Sequence, residues 1–149
     1  MLTNLEHLGL AVRDLSAATA LYTRLLGLPP YKTEHVTSEA VDTVFFQVGG
    51  SKIELLAGTS PESAITKFLE KKPEGIHHVA FEVDNIVAEM ARLRAEGFIL
   101  LNDEPKRGAD NKLVCFVHPR SAGGVLVELC QTADLTDLTD GADTPAEAG

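Results

Sequence analysis

Apolar and polar residues alternate along Gly75-Ile76-His77-His78-Val79-Ala80-Phe81-Glu82-Val83 with the period of a β-strand. Val79, Phe81 and Val83 share one face, which asks for a helix layer. His78, Ala80 and Glu82 share the other, where small Ala80 leaves room beside the imidazole. Glu6-His7-Leu8-Gly9-Leu10-Ala11-Val12 carries the same alternation, with Leu8, Leu10 and Val12 apolar and His7 above Gly9 and Ala11. His7 and His78 lie 71 positions apart, and the same shift brings Leu15 onto Ile86, each opening a helical pattern. A second match sets Gly49-Gly50-Ser51-Lys52-Ile53-Glu54-Leu55 against Gly123-Gly124-Val125-Leu126-Val127-Glu128-Leu129, with Glu54 and Glu128 74 positions apart. The chain is a duplicated module, each copy bearing a His on its first strand and a Glu on its last.

In the first copy a strand from Asn4 to Val12 is followed by Asp14 as a cap and by an amphipathic helix from Leu15 to Leu26. Gly27 ends that helix and Pro29-Pro30 keeps it ended. Strands are expected over 31–36 and 41–48, then a Gly49-Gly50 turn and a strand over 52–56. Ser60-Pro61 marks the start of a helix over 61–71, with Ile65, Phe68 and Leu69 inward, bridging the two copies. The second copy repeats the order: strand 75–83, a cap at Asp84 or Asn85, helix 86–96 stopped by Gly97, a short strand 98–101, and a hairpin of 113–118 and 124–129. The polar stretch 103–112 is of the size that usually serves a site. The predicted class is α+β: two tandem βαβββ modules, about 4–58 and 75–131, pairing curved mixed sheets around one concavity in a single domain over 1–131. Residues 132–149 read as an acidic, disordered tail.

Composition changes this picture little. A chain of 149 residues, 44% of them hydrophobic, can bury the core of one domain. The net charge of −9 is inflated by the tail, where Asp134, Asp137, Asp140, Asp143 and Glu147 stand without a base. That balance does not make a nucleic-acid surface. No apolar run approaches the roughly 18 residues of a membrane span, and no secretory or transit signal is expected. Cys115 and Cys130 sit inside strand patterns, as buried thiols of a cytoplasmic protein do.

The chemistry lies in the polar face of the repeat. A carboxylate in mid-strand between aliphatic neighbours is costly to bury unless it is paired or bound to metal. Taken singly, Glu54 and Glu128 would be exposed residues on an open sheet face, and His7 and His78 ordinary imidazoles. At equivalent positions of two copies the four are hard to explain separately. Two imidazoles and two carboxylates suit a borderline divalent cation such as Zn²⁺, Co²⁺, Ni²⁺ or Mn²⁺. His77 is the rival ligand; strand parity sets it on the helix side, in a supporting or structural role. His118-Pro119-Arg120 falls in a hairpin turn, where a solvated His is ordinary.

The paired modules with their His, Glu, His and Glu resemble the vicinal oxygen chelate superfamily. Within it, four runs together resemble the methylmalonyl-CoA epimerase family, over about 5–131: Ser63-Ala64-Ile65-Thr66-Lys67-Phe68-Leu69, Gly75-Ile76-His77-His78-Val79-Ala80, Asp103-Glu104-Pro105-Lys106-Arg107-Gly108-Ala109 and the segment from His118 to Leu129. The loop departs from the family's usual pattern at Asp110-Asn111. The resemblance implies a glyoxalase-like fold and an isomerase that interconverts (2R)- and (2S)-methylmalonyl-CoA by 1,1-proton transfer through a metal-stabilised enolate. It implies one divalent ion per chain, Co²⁺ ahead of Mn²⁺, Zn²⁺ or Ni²⁺, held by His7, Glu54, His78 and Glu128. Glu128 is the first choice of proton carrier. Glu54 is the second, with Asp42 as its rival, because Thr43 stands where some relatives have a catalytic Glu.

The implied partners are an acyl-CoA and, to cover strand edges and apolar surface, a second copy of the chain. Lys67, Lys71, Lys72, Lys106, Arg107 and Arg120 are candidate phosphate contacts. Two other readings stand beside the epimerase: a glyoxalase I-type lyase acting on a glutathione hemithioacetal, and a non-catalytic antibiotic-binding protein of the same fold. Extradiol dioxygenases share the fold but use three ligands, one fewer than are present here.

Overall fold

The computed structural model describes residues 1–133. Strand β1 (Leu2–Ala11) leads to helix α1 (Leu15–Leu26) through Asp14, whose carboxylate accepts from the Ala17 N–H. Gly27 ends α1 at φ 72°, a left-handed conformation that glycine adopts without steric cost. Strands β2 (Lys32–Val36), β3 (Val41–Val48) and β4 (Ser51–Gly58) complete the first module. Helix α2 (Ala64–Lys71) leads to the second: β5 (Gly75–Val83), α3 (Ile86–Ala95), β6 (Lys106–Arg107), β7 (Lys112–Val117) and β8 (Val127–Thr132). Among the described residues no helix is long and apolar enough to cross a membrane.

All eight strands join one curled mixed sheet in the order β2-β3-β4-β1-β5-β8-β7-β6. β1 runs parallel to β4, and β5 parallel to β8, while β1 and β5 pair antiparallel at the centre. The sheets of the two modules therefore pair edge to edge, related by a pseudo-two-fold at the β1–β5 seam. Alternation then sorts the faces. Leu10, Val12, Val44, Phe46 and Leu55 form a core under α1, met by Leu15, Ala18 and Tyr22. Val83, Cys115, Val117 and Leu129 form its counterpart with Ile86, Met90 and Leu93 of α3. The opposite face receives α2 at one end, where Ile65 packs with Ala11, Val41 and Leu56.

The first strand lies at Leu2–Ala11 rather than Asn4 to Val12, the strand expected over 52–56 spans Ser51–Gly58, and three further differences change the local architecture. The helix expected over 61–71 begins at Ala64: Ser63 Oγ accepts from the Ile65 N–H, and a turn closed by Ser63 N–H to Ser60 O holds Pro61 before the cap. The strand expected over 98–101 is reduced to one bridge, Leu100 to Val117. There Asn102 Oδ1 takes the Phe116 N–H, and the Arg94 guanidinium holds the carbonyls of Asn102 and Asp103, so the ladder cannot continue. β6 occupies the edge position instead. At the other end β8 starts at Val127, after Gly123 and Gly124 in left-handed conformations, and runs to Thr132. Ala133 is buried and donates its N–H to Asn111 O at 3.0 Å, so the ordered domain passes the boundary expected at 131. The expected disordered tail beyond it lies outside the described residues.

Candidate metal centre and active-site cavity

The central seam places the imidazoles. Across it His7 faces Ala80, and His78 faces Gly9. A Cβ on Gly9 would collide with the His78 ring, so the absence of a side chain there is what lets the imidazole lie over β1. β4 brings Glu54 beside Gly9, and β8 brings Glu128 beside Ala80. Each small residue thus makes space for a ligand-type side chain on a neighbouring strand. His7, Glu54, His78 and Glu128 are all buried, at 4–6% exposure.

Their polar atoms converge on His7 Nε2. His7 Nε2 and His78 Nε2 approach to 2.9 Å. Glu128 Oε2 lies 3.0 Å from both of them, and Glu54 Oε2 lies 3.2 Å from His7 Nε2. One ligand atom each from His7, Glu54 and His78 falls within 4.8 Å of the others. Burial disfavours charge throughout, and the partners decide the outcome. For Glu54, burial and then the charge of Glu128 push the carboxyl up to about 7, against the pull of His7. For Glu128, burial is overcome by the hydrogen bonds from His7 and His78, which hold it at about 2. For His7, burial works against the imidazolium, but Glu128, Glu6 and Glu54 raise it to about 10.

With Glu128 Oε2 bearing on both imidazoles of the His7, Glu54 and His78 group, buried lone-pair donors this close repel one another unless a proton or a cation sits among them. Two imidazole nitrogens and two carboxylate oxygens are the donor set of a borderline divalent ion, and these residues fit one. The back of His7 agrees: Nδ1 is buried, has no hydrogen-bond partner among the described residues, and leaves Nε2 as the nitrogen that faces the cluster.

Glu6 is the residue that sequence reasoning missed. β1 steps from Leu5 to His7 while β5 steps only from Phe81 to Ala80, so Glu6 is the extra residue of a bulge. Its Oε1 lies 3.9 Å from His7 Nδ1, an ion-pair rather than a hydrogen-bond distance, and 2.7 Å from Lys52 Nζ. His77 is its counterpart, the extra residue where β5 steps from His78 to Ile76 and β1 only from Gly9 to Leu10. The parity that put His77 on the helix side fails at this bulge. Its ring lines the cavity, packs edge-on against Phe68 at 5.0 Å, and sets Nδ1 2.9 Å from His78 Nδ1. Each cluster histidine is thus preceded by a bulged residue that attends its Nδ1. The 71-residue shift that aligns His7 with His78 also aligns Glu6 with His77, and that was the signal to follow.

Beside the cluster is a cavity of about 290 Å³, walled by Val36, Val41 and Leu56 of the first module and Leu101, Val114 and Phe116 of the second. Glu54, His78 and Glu128 reach into it, and so does fully buried Thr43. Asp42 does not: it sits between two cavity-lining residues on β3, faces away, and pairs with His35 at 2.7 Å. It is excluded as a proton carrier on that geometry. Of the six basic side chains considered for phosphate, Lys106 alone lines the cavity, paired with Glu39 at 2.8 Å.

Residues 6–116 match the family described as the Glyoxalase/Bleomycin resistance protein/Dioxygenase superfamily. The mitochondrial methylmalonyl-CoA epimerase of Mus musculus is 43% identical over 87% of this chain and 74% of its own length. The ethylmalonyl-CoA/methylmalonyl-CoA epimerase of Cereibacter sphaeroides is 41% identical over 88% of this chain and 99% of its own. A variant of Streptomyces coelicolor methylmalonyl-CoA epimerase, solved in complex with 2-nitronate-propionyl-CoA, superposes with a TM-score of 0.86 at 34% identity, over 90% of this chain and 100% of that one.

Proposed function

The chain belongs to the methylmalonyl-CoA epimerase family of the glyoxalase/bleomycin resistance protein/dioxygenase superfamily, and on that premise we propose that it is a metal-dependent epimerase inverting the methyl-bearing carbon of methylmalonyl-CoA. The observation that carries this reading is the meeting of four buried donors, two from each module, beside one cavity that Glu54, His78 and Glu128 line. At about 290 Å³ that cavity is at the small end for a ligand site, enough for the acyl end while the rest of CoA lies outside it.

His7, Glu54, His78 and Glu128 would hold a divalent ion, Co²⁺ first among those to try, and it would supply positive charge for the negative charge that develops beside the thioester and the carboxylate. The chain's own side chains do the rest. Val41, Leu56 and Phe116 keep water from the acyl group. Inversion requires a proton taken from one face and returned to the other. Glu128 and Glu54 are the two carboxylates that reach the cavity beside the cluster, and they take the roles of base and acid. Thr43 has no acidic proton to offer, so Glu54 takes the second role. The functional unit is a homodimer.

The test is proton exchange. Metal-depleted and Co²⁺-restored protein would be incubated with (2R)-methylmalonyl-CoA in D₂O, following deuterium at the α-carbon and formation of the other epimer. Both should appear only with metal, and Glu128→Gln should slow epimerisation by roughly 10²–10⁴-fold. Absence of exchange with every ion of the Co²⁺, Mn²⁺, Zn²⁺ and Ni²⁺ series would sink the proposal.

A further inference from the structure

The turn between β6 and β7 reaches across to the other module. Asp110 Oδ2 lies 2.6 Å from Lys52 Nζ and Oδ1 lies 3.1 Å from Lys32 Nζ, while the Asp110 N–H donates to Glu34 Oε2 at 2.8 Å. All three partners stand on β2 and β4 of the first module. Asp110 and Asn111 form the tip of the hairpin in left-handed conformations, φ 58° and 55°, which Asp and Asn tolerate. Just before the contact, Gly108 and Ala109 form part of the cavity wall. Gly108 lies so close to Val114 that a Cβ there would force the valine to shift. At the other end of the same segment Lys106 reaches Glu39, so this wall is fastened to the first module at both ends.

We infer that Asp110 is a positioning residue: it clasps the β6–β7 turn to the first module and so holds one wall of the cavity in place before an acyl-CoA enters. The hairpin does not need this contact to close, since Gly108 N–H already bonds Lys112 O, and Asn111 O accepts from Ala133 N–H. An acidic side chain at the tip serves only the far module. Two lysines converge on it, one of them already bound to Glu6. A wall fixed in advance spares the ligand the cost of ordering it, so its loss appears as weaker binding rather than slower chemistry. The kinetic half of this inference rests on the epimerase activity proposed above; the structural half does not.

Asp110→Asn keeps the shape of the side chain and a residue that tolerates the left-handed conformation, while removing the charge. Lys52 keeps Glu6 at 2.7 Å and Lys32 keeps Glu34 at 3.8 Å, so neither lysine is stranded. Lys32→Met together with Lys52→Met cuts both lysine contacts from the other module. Hydrogen–deuterium exchange of peptides covering 106–112, read by mass spectrometry, should quicken by roughly tenfold in both variants, with the melting temperature of Asp110→Asn held within about 2 °C. KM for methylmalonyl-CoA should rise about five- to tenfold with kcat within about twofold of wild type. Unchanged exchange in both variants overturns the clasp. Faster exchange with an unchanged KM overturns its role toward the ligand, and a joint fall of kcat and melting temperature reduces the contact to a support of the fold. Should wild-type protein fail to turn over methylmalonyl-CoA, the proposed function falls, and the exchange measurement still decides the clasp.

Discussion

At the scale of single residues, Gly9 carries more of the site than a missing side chain suggests. The His78 ring occupies the space that a Cβ on Gly9 would need. Gly9→Ala should therefore leave a folded protein whose imidazole is displaced from the cluster, weakening divalent-metal binding by about 10- to 100-fold, as loss of a ligand's support does elsewhere. Metal titration beside a circular dichroism spectrum checks this, and wild-type affinity in the variant would show that the ring has another place to go. Protonation gives a second prediction. With His7 held near 10, an ion entering at pH 8 displaces the imidazolium proton; below about 7, it must also displace the proton on Glu54. Affinity should fall as pH falls, by ~1 log unit per pH unit above neutrality and ~2 below it. Calorimetry in buffers of different ionisation enthalpy counts the released protons, and a count independent of pH would contradict the assignment.

Elements of the fold divide the labour between the two faces of the sheet. Met90 on α3 is buried in the core beneath the second module, on the face away from the cavity. Met90→Ala should cost about 2–5 kcal/mol in chemical denaturation while leaving metal affinity at the wild-type value. Asn102 works differently: its side chain replaces a strand as the partner of the Phe116 N–H. Phe116 lies opposite Glu128 in the β7–β8 ladder and lines the cavity. Removing the acceptor in Asn102→Ala should cost about 1–3 kcal/mol and, unlike Met90→Ala, should reach the site by loosening β7. Equal effects of the two substitutions on metal affinity would show that the faces are not separable.

For the whole molecule, the duplication explains why one site serves two modules. Each module supplies one histidine and one glutamate, and only the β1–β5 seam brings the pairs together. Neither module could build the cluster by itself. The outer surface retains apolar side chains, among them Leu25 at 68% and Val87 at 64% exposure, which suits a two-fold mate. Sedimentation at micromolar concentration should give twice the 16.0 kDa of the chain, and a monomeric mass would remove the homodimer from the proposal.

The sequence by itself determined whatever depends on local periodicity and on repetition. Leu15–Leu26 was legible as a helix because its cap, its stripe and its terminal glycine are all within one segment. The four cluster residues were legible because a period of two and a repeat of 71–74 positions set them on equivalent faces. Tertiary structure decided what exists only between distant strands. A bulge is defined against its partner strand, so the roles of Glu6 and His77 could not be read from alternation, which the bulge breaks. The fate of 98–101 turned on a side-chain acceptor at Asn102, and the placement of Asp110 on two lysines of the other module. Periodicity records which way a side chain points along its own strand. Which groups it meets there is set by the pairing and curvature of the sheet, and those belong to the folded chain as a whole.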